Sequence, residues 1–242
     1  MDPAAVEEMA RVEEGHWWFR ARRAMTGPVV ARALAAGGGP VLDLGCGTGA
    51  HLRRLPDNVM GVGLDGDAAC LAHSRAGGAA RLVRGEGGAV PLADGSVGLV
   101  TAYDVLEHFD DDEGAMAEIH RVLRPGGFLL ATVPCHMWLW GPHDEVLHHR
   151  RRYAGGELEG KLRAAGFTVE RRLGFNFLLL PVLVAVRTLR RVLLLRAGST
   201  DFFALPPGGD ALVAALLAPE RWLQALCPLP IGASRVVLAR RA

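Results

Sequence analysis

The sequence predicts an α/β fold in which a single, mostly parallel sheet carries helices on both faces. Short apolar runs alternate with helical stretches along most of the 242 residues, as the crossover connections of a parallel sheet require. A glycine-rich turn follows the first buried run directly, and half of the residues are hydrophobic, which is enough for one sizeable core. These observations favour one domain with an insertion over two independent domains.

The first half of the chain has the pattern of a βαβαβ unit. Its opening helix ends at Gly37, where three successive glycines stop helix growth. Short apolar runs between the helical stretches predict buried strands. In order, the elements are a helix over 22–36, strand 41–44, a short helix that ends at 55, strand 59–64, a helix over 67–75 and strand 80–84.

The second half of the chain completes a seven-stranded sheet and adds an inserted cap. The turn Arg124-Pro125-Gly126-Gly127 separates a helix from the fifth strand, and Gly166 separates the next helix from the sixth. The elements are strand 97–103, helix 112–123, strand 128–133, helix 156–165, strand 167–172 and a final strand 234–239. Because the segment before the last strand is too long for a simple connection, we expect it to form a helical cap. The predicted parts are an N-terminal helical segment 1–36, a core 37–173, the insertion 174–231 and the last strand region 232–242.

The strongest motif is Val41-Leu42-Asp43-Leu44-Gly45-Cys46-Gly47-Thr48-Gly49, a buried strand that runs into a glycine-rich turn. Glycines at such a turn let the backbone approach a ligand closely. Gly45, Gly47 and Ala50 also fit the dinucleotide fingerprint G-x-G-x-x-A, so the glycines alone leave open a nicotinamide dinucleotide or S-adenosyl-L-methionine (SAM). Asp43 favours SAM, because a carboxylate would repel a pyrophosphate but attract the ammonium and sulfonium cations of SAM.

Two further acidic residues follow the second and third strands at the same edge of the sheet. Asp65 ends the second strand, where a carboxylate can accept hydrogen bonds from both hydroxyls of a ribose. Glu86 follows the third strand and can accept a hydrogen bond from an adenine amine. Either residue alone would be interpreted as a solvated loop carboxylate, but the ordered set with Asp43 favours a nucleoside ligand.

Together these motifs resemble those of class I SAM-dependent methyltransferases, in the broad type 11 group that includes the ubiquinone-biosynthesis methyltransferases. The resemblance is close over 41–133 and implies a Rossmann-like sheet, SAM as cofactor and methyl transfer as the activity. Glu86 stands where the family usually has Asp, and Gly98 stands where an acid usually precedes the fourth strand. The motifs that carry it are the glycine loop, Asp65, the segment 92–100, Asp104-Val105-Leu106-Glu107-His108 and Arg121-Val122-Leu123-Arg124-Pro125-Gly126-Gly127.

The segment Glu14-Gly15-His16-Trp17-Trp18-Phe19-Arg20-Ala21-Arg22-Arg23 resembles the start of a methyltransferase subgroup with a His-Trp-Trp-Phe signature. The resemblance implies that this segment folds over the cofactor, with Trp17 and Arg20 in contact with it. Gly87 and Tyr103 are further cofactor contacts that the family pattern implies. The alternative is a helix that packs its aromatic side chains on the core, whatever the function.

The acceptor of the methyl group is expected beyond the ends of the fourth and fifth strands, where Asp104, Glu107 and His108 leave the sheet. Asp104 and His108 can each act as a base if the acceptor arrives protonated. The spacing D-x-x-E-H can also hold a divalent cation. Because Glu and His in such a segment more often cap and pack, we predict no metal here.

The loop after the fifth strand is rich in residues that can carry chemistry. His143 and Asp144 can form an acid–base pair, so His143 is a third candidate catalytic residue. The arginines can clamp a phosphate or carboxylate of the acceptor, or they can lie on a solvated face and pair with acids such as Glu145 and Glu157. The residues of this loop that we predict to bind the acceptor are Asp144, His149, Arg151, Arg152 and Tyr153.

The insertion carries an apolar run with clustered arginines over 175–196. Its uncharged part is shorter than the ~20 residues of a bilayer span. As a helix it places Arg187, Arg190 and Arg191 on one side, with Val182, Val186, Leu189 and Leu193 opposite. Such a helix can roof an apolar acceptor pocket, contact a membrane surface peripherally, or simply pack on the domain.

Composition and charge limit the partners and the cellular location that we expect for the protein. The formal net charge of +1 provides no global field for nucleic acid, so we expect a small-molecule acceptor, in part lipid-like, and no nucleic-acid partner. The opening residues lack the basic flank and apolar run of a secretory signal, which predicts a cytoplasmic protein, peripheral at the inner membrane face if the insertion binds lipid. The four cysteines form no CxxC pair. The alternatives to an active methyltransferase are a catalytically inactive SAM-binding module and a peripheral membrane scaffold.

Overall fold

The structure, a computed structural model, is described for residues 3–37, 39–192, 208–227, 229 and 231–242. It contains one seven-stranded sheet in the order β3-β2-β1-β4-β5-β7-β6. Strands β1 to β5 pair in parallel, and β7 lies antiparallel between β5 and β6. The strands are β1 Val41–Leu44, β2 Gly61–Asp65, β3 Leu82–Arg84, β4 Val97–Tyr103, β5 Leu123–Pro134, β6 Phe167–Phe175 and β7 Ser234–Arg241. The predicted α/β fold with a mostly parallel sheet is confirmed.

The helices cover both faces of the sheet. On one face, Met116 and Ile119 pack with the core residues of β1 and β4, together with Leu158 and Leu162. On the other face, Met25, Val29 and Ala33 form a separate apolar cluster with strand residues. The helices are α1 Pro3–Val12, α2 Trp17–Gly37, α3 Ala68–Ala76, α4 Asp112–Val122, α5 Pro142–Val146, α6 Glu157–Ala164, α7 Leu180–Val192 and α8 Gly209–Leu226.

Two elements begin earlier than the sequence predicts. Helix α2 begins at Trp17 rather than at residue 22, and its first backbone N–H donates to Asp210 of α8 at 2.9 Å. Strand β5 begins at Leu123 because this residue pairs with Val97, so the Arg-Pro-Gly-Gly segment is an irregularity inside the strand rather than a turn before it. Both extensions depend on partners that lie far away in the sequence.

The described part of the insertion consists of α7 and α8, and α8 packs along α2. Glu220 of α8 is buried and accepts a hydrogen bond from the Leu178 N–H at 3.2 Å, just before α7. The Gln224 amide donates to the carbonyl of Gly174 and accepts from the Leu229 N–H. Buried polar groups of α8 therefore hold the chain on either side of it. Within the described ranges, we find no helix whose length and hydrophobicity would let it cross a bilayer.

Helix α7 packs on the domain through the side that carries Arg187. Arg187 is buried, with Nη1 3.7 Å from the Asp144 carboxylate, whereas Val182 and Leu189 are 58% and 57% exposed. The buried carboxylate of Asp144 lies within ion-pair distance of Arg187, and such a charge draws a basic side chain into the protein. Our predictions for Arg190 and Arg191 concern side chains that the structure does not describe. Leu193 lies outside the described residues.

Candidate functional site

The glycine-rich loop connects the end of β1 to a short 3-10 helix, Leu52–Arg54. Gly45, Gly47 and Gly49 have φ angles of +68°, +50° and +82°, which glycine adopts without steric cost. The N–H groups of Gly45 and Cys46 both donate to the carbonyl of Leu64, which ties the loop to the end of β2. The loop thus has a defined shape at the carboxyl edge of the sheet, where ligands of such sheets bind.

Asp43 lies buried in β1 directly below this loop. Its Oδ1 accepts a hydrogen bond from Thr101 Oγ1 at 2.7 Å, while Oδ2 has no hydrogen-bond partner among the described residues. Burial raises the pKa of Asp43 to about 7, although the hydrogen bond from Thr101 and the charge of Arg22 lower it. A buried carboxylate oxygen without a donor fits a ligand that brings a cation or an N–H group to the loop.

Asp65 and Glu86 lie where the sequence predicts them, after β2 and β3. Asp65 orders the loop, since its carboxylate accepts from the N–H of Gly47 and from the N–H of Asp67, both at 2.9 Å. Each oxygen retains a second lone pair for a ligand hydroxyl. Glu86 is exposed, and Gly87 is buried against Phe109, whose ring would lie 2.3 Å from an added Cβ. Ligand contacts by Asp65, Glu86 and Gly87 remain predictions.

The N-terminal helices lie against the glycine loop. Glu13 is buried and accepts hydrogen bonds from Thr48 Oγ1 at 2.5 Å and from Arg53 at 3.1 Å. Met9 approaches Gly47, with its Cε 3.6 Å from the position of an added Cβ. Glu13 and Met9 therefore hold the start of the chain against the loop. That the segment 14–23 folds over the cofactor, and that it belongs to a His-Trp-Trp-Phe subgroup, stay predictions.

Arg22 rather than Arg20 faces the site. Arg20 is exposed on α2, whereas Arg22 is buried and donates from Nη1 to Asp104 Oδ2 at 2.5 Å. The guanidinium also lies over the ring of Tyr103, 5.2 Å from its centroid. Trp17 is half-buried at the start of α2, where its ring contacts Trp18 edge to face. Cofactor contacts by Trp17 and Arg20 have no support from the described contacts and stay predictions.

Sequence reasoning missed Arg22, although a signal was available. The buried residues of α2 recur at helical spacing, with Phe19, Arg22 and Thr26 on one stripe. An arginine on the apolar stripe of a helix requires a buried partner, and Asp104 provides it. Applying the same periodicity from Trp17 onward would have separated Arg22 from Arg20.

Tyr103 and His51 stack beside the glycine loop, with ring centroids 4.1 Å apart. His51 Nε2 lies 3.3 Å from Arg22 Nη2. Burial raises the pKa of the Tyr103 hydroxyl above its ordinary value, and it lowers the pKa of His51, where neighbouring arginines add to the effect. Both rings are therefore neutral near pH 7 and form an aromatic wall next to the loop.

Asp104 ends β4 in a left-handed backbone conformation, with φ of +51°. Its Oδ1 accepts from Thr132 Oγ1 at 3.0 Å, and its Oδ2 accepts from Arg22. Both carboxylate oxygens are thus engaged by protein donors. A strained residue just after a strand is typical of functional sites, and the role of Asp104 as a base stays a prediction.

Glu107, His108 and His149 come together beyond the end of β4. The Glu107 side chain is fully buried, and neither carboxylate oxygen has a hydrogen-bond partner in the described part of the chain. His149 Nε2 lies 3.9 Å from Glu107 Oε1. Burial raises the pKa of Glu107 well above its ordinary range, with a further contribution from Asp104, whereas burial and His149 lower the pKa of His108 to about 4.

Asp144 organises the loop that follows β5. It is fully buried, and its Oδ1 lies 2.9 Å from His149 Nδ1 and 2.7 Å from Arg152 Nε. Burial alone would raise the pKa of Asp144, but the hydrogen bonds from His149 and Arg152 outweigh it and lower the pKa to about 2. The acid–base pair that we expected between His143 and Asp144 is thus formed by His149 instead. His143 packs edge to face on His149, with ring centroids 6.0 Å apart.

The arginines of this loop contact acids other than Glu145 and Glu157. Arg151 Nη1 donates to Asp112 at 2.6 Å, and Tyr153 donates its hydroxyl to the same carboxylate at 2.7 Å. Arg152 is buried with Asp144. These contacts lie within the protein, so the acceptor role predicted for Arg151, Arg152 and Tyr153 has no support from them and stays a prediction.

Comparison with protein-family models gives a match to a family described as "Methyltransferase domain", over residues 42–131. A relative from Mycolicibacterium smegmatis, described as an S-adenosylmethionine-dependent methyltransferase, is 37% identical over 167 residues. The alignment covers 66% of this chain and 63% of that relative, so the chain spans less than two thirds of its length.

Solved structures share the fold at lower identity. A SAM-dependent methyltransferase from Thermotoga maritima has a TM-score of 0.61 at 17% identity, covering 99% of this chain and 98% of that one. The [4+2]-cyclase SpnF has a TM-score of 0.60 at 22% identity, covering 94% of this chain and 86% of that one. Such similarity concerns the fold alone. Residues 42–131 thus match the methyltransferase-domain family, and the chain has the fold of these solved structures.

Proposed function

We propose that the protein transfers the methyl group of SAM to a small acceptor whose reacting group is brought to the ends of β4 and β5. The observation that carries the proposal is the buried Asp43 Oδ2, which has no partner among the described residues and lies below the ordered glycine loop. SAM brings a positively charged sulfonium and ammonium to such a loop. An ionised carboxylate stabilises these charges more strongly in a buried site than in water.

In this proposal, different residues serve the cofactor loop and the acceptor edge of the site. Asp43 provides negative charge at the loop, and Asp65 holds the loop closed through the N–H of Gly47. His108 and His149, whose ring centroids lie 4.9 Å apart, form the polar wall at the acceptor edge. Methyl transfer is an in-line displacement in which positioning dominates, and a base is required only for an acceptor that arrives protonated.

The proposed acceptor is partly apolar, in the manner of a lipid, prenyl or polyketide-like molecule. Half-buried Leu183 lies one turn before buried Arg187 on α7, and half-buried Leu179 directly precedes this helix, so apolar side chains lie on the side of α7 that meets Asp144. The alternative functions, an inactive SAM-binding module or a scaffold, keep the fold without turnover.

A screen with methyl-labelled SAM tests the proposal. The full chain is incubated with prenylated, polyketide and lipid acceptors of increasing tail length, and labelled product and S-adenosylhomocysteine are quantified. Asp43→Asn should abolish transfer to any acceptor that is methylated, whereas Asp57→Asn, at an exposed aspartate, is the matched control. Binding of SAM without turnover on any acceptor class would favour the inactive module.

We also propose that the segment 175–196 contacts a membrane surface peripherally, through the exposed face of α7. Val182, Val186 and Leu189 recur at helical spacing and are exposed, which is typical of a helix that lies in a membrane interface. The triple variant Val182→Ser, Val186→Ser, Leu189→Ser should lose cosedimentation with anionic vesicles. Met60→Ser, at an exposed methionine elsewhere, is the control. Absence of vesicle binding by the unsubstituted protein would refute the contact.

A further inference from the structure

The Glu107 carboxylate has no hydrogen-bond donor within the described structure, although its side chain is fully buried. A buried charge is costly unless it is paired, hydrogen-bonded or bound to a metal. The nearest basic atom, His149 Nε2, lies 3.9 Å from Oε1, which is too far for a hydrogen bond. Both oxygens are therefore without a donor among the described residues, which leaves them available to a ligand from outside the chain.

Two imidazoles face the same carboxylate. Glu107, His108 and His149 each offer one ligand atom, and these atoms lie within 4.8 Å of one another. Zinc–ligand bonds of about 2.0 to 2.2 Å place the ligand atoms of a filled site about 3 to 4 Å apart. Small side-chain rotations therefore suffice to close the cluster around one ion.

A buried carboxylate orients one of the two imidazoles. His149 Nδ1 is hydrogen-bonded to Asp144 Oδ1, which leaves Nε2 directed at Glu107. Asp144 is itself fixed by Arg152 Nε and by the N–H of Gly141, at 2.7 and 2.9 Å. The backbone N–H of Arg150 donates to the carbonyl of Glu107 at 2.8 Å, so the loop is held against the cluster. A carboxylate–histidine pair of this kind is the usual support of a metal-bound imidazole.

We propose that Glu107, His108 and His149 bind a divalent transition-metal ion, with Asp144 as the residue that positions His149. Two imidazoles and one carboxylate suit zinc and neighbouring metals, and three protein ligands leave a coordination position open. This set differs from the Asp104, Glu107 and His108 spacing considered in the sequence, because Asp104 is engaged by Arg22 and Thr132.

The open coordination position of the ion indicates which class of acceptor the site would take. This inference about the acceptor rests on the proposed function. The cluster lies beyond the end of β4, where the acceptor is proposed to bind, so the ion would receive an oxygen of the acceptor. A metal-bound hydroxyl loses its proton more readily than a free one. The favoured acceptors are therefore those with a hydroxyl or enol group as the methylated atom.

The metal site is tested without SAM and without an acceptor. Full-length, tag-free protein is stripped with a chelator, dialysed against Zn²⁺ or Co²⁺, and assayed for bound metal by mass spectrometry and for Co²⁺ visible absorption. We expect one equivalent and the intense absorption of low-coordinate Co²⁺. Glu107→Gln and His149→Ala should lose the equivalent. Asp104→Asn and His73→Ala should keep it, since Asp104 is not a ligand and His73 is exposed on α3.

A positioning variant adds a graded readout. Asp144→Asn should weaken metal binding about 10- to 100-fold, as loss of an orienting carboxylate does in other sites. S-adenosylhomocysteine binding by each variant reports folding, and the Co²⁺ spectrum of the unsubstituted protein needs no variant. Sub-stoichiometric metal or a spectrum like that of aqueous Co²⁺ would overturn the site, as would full binding by Glu107→Gln. None of these results depends on methyl transfer, so failure here and failure of the proposed function are distinguishable.

Discussion

Gly45→Ala is the substitution that tests the glycine loop most directly. The residue has φ of +68°, and an added Cβ would lie 2.6 Å from Val105 Cγ2. A left-handed conformation costs an alanine about 1 to 2 kcal/mol, and overpacking a filled position adds about 1 to 3 kcal/mol. The free energy of unfolding should therefore fall by about 2 to 5 kcal/mol. Because the loop must shift to relieve the contact, S-adenosylhomocysteine affinity should fall as well.

Two other glycines separate the two contributions. Gly78 has φ of +99° with nothing within 4 Å of an added Cβ, so Gly78→Ala should cost only the backbone contribution of about 1 to 2 kcal/mol. Gly88 has an ordinary φ and open space, so Gly88→Ala should change stability by less than about 0.5 kcal/mol. Urea denaturation followed by circular dichroism gives the three free energies, and calorimetry gives the affinities.

The order of the three free energies of unfolding shows whether the glycine loop is rigidly packed around Gly45. If Gly45→Ala destabilises no more than Gly78→Ala, the contact with Val105 is relieved at no cost and the loop is not rigidly packed. If Gly45→Ala keeps full affinity for S-adenosylhomocysteine, the shape of the loop does not govern cofactor binding, and the assignment of Gly45 to the cofactor site is refuted.

Four further outcomes can be measured. S-adenosylhomocysteine affinity, measured by calorimetry between about pH 6 and 8, should rise as Asp43 ionises around its pKa of about 7, and Asp43→Asn should flatten this profile. The same pKa, higher in the folded than in the unfolded protein, predicts that the stability contributed by Asp43 to the ligand-free fold is lost as pH rises from about 4 to 7. The free energy of unfolding of the unsubstituted protein should therefore fall relative to that of Asp43→Asn over this range, since the lowered pKa values of His51 and His108 act on both proteins; a constant difference would contradict the reasoning. Tyr153→Phe removes the hydroxyl bonded to Asp112 and should lower the free energy of unfolding by about 1 kcal/mol in urea denaturation, whereas an unchanged midpoint would exclude a role for this hydrogen bond. His143→Ala should lower turnover with little change in cofactor affinity, and equal losses would place the loop in the cofactor pocket.

The order and type of the sheet elements could be predicted because apolar runs and glycine punctuation are local signals. Strand β4, Val97–Tyr103, has the predicted bounds, and β1 does as well. Local signals fail where a distant partner decides. The pairing of Leu123 with Val97 extends β5, and the Asp210 carboxylate accepts from the first N–H of α2, so neither boundary can be read from nearby residues.

The site shows the same division. The glycine loop and Asp43 belong to β1 and the turn after it, and Asp65 ends the neighbouring strand β2. Sequence reasoning could therefore place them at the same edge of the sheet. Which side of an amphipathic helix is buried does not follow from its periodicity, and the structure is needed to show that Arg187 of α7 points inward while Val182 and Leu189 are exposed. Sequence spacing also does not show which histidine contacts the Asp144 carboxylate. His143 is its neighbour in the chain, but His149, five residues further on, lies within hydrogen-bond distance of it.

The position of β7 has a consequence for how the chain is synthesised and folds. β7 pairs with β5 through Phe128 to Pro134 and with β6 along its whole length, so it fills a gap between two strands made earlier. Until residues 234–241 leave the ribosome, β5 and β6 each present an unsatisfied edge, which is a template for pairing with other chains. Pairing across so long a separation in sequence is slow, because loop closure precedes any gain from contacts. Completion of the sheet is therefore a late event in folding, and the nascent chain is most prone to aggregate just before it.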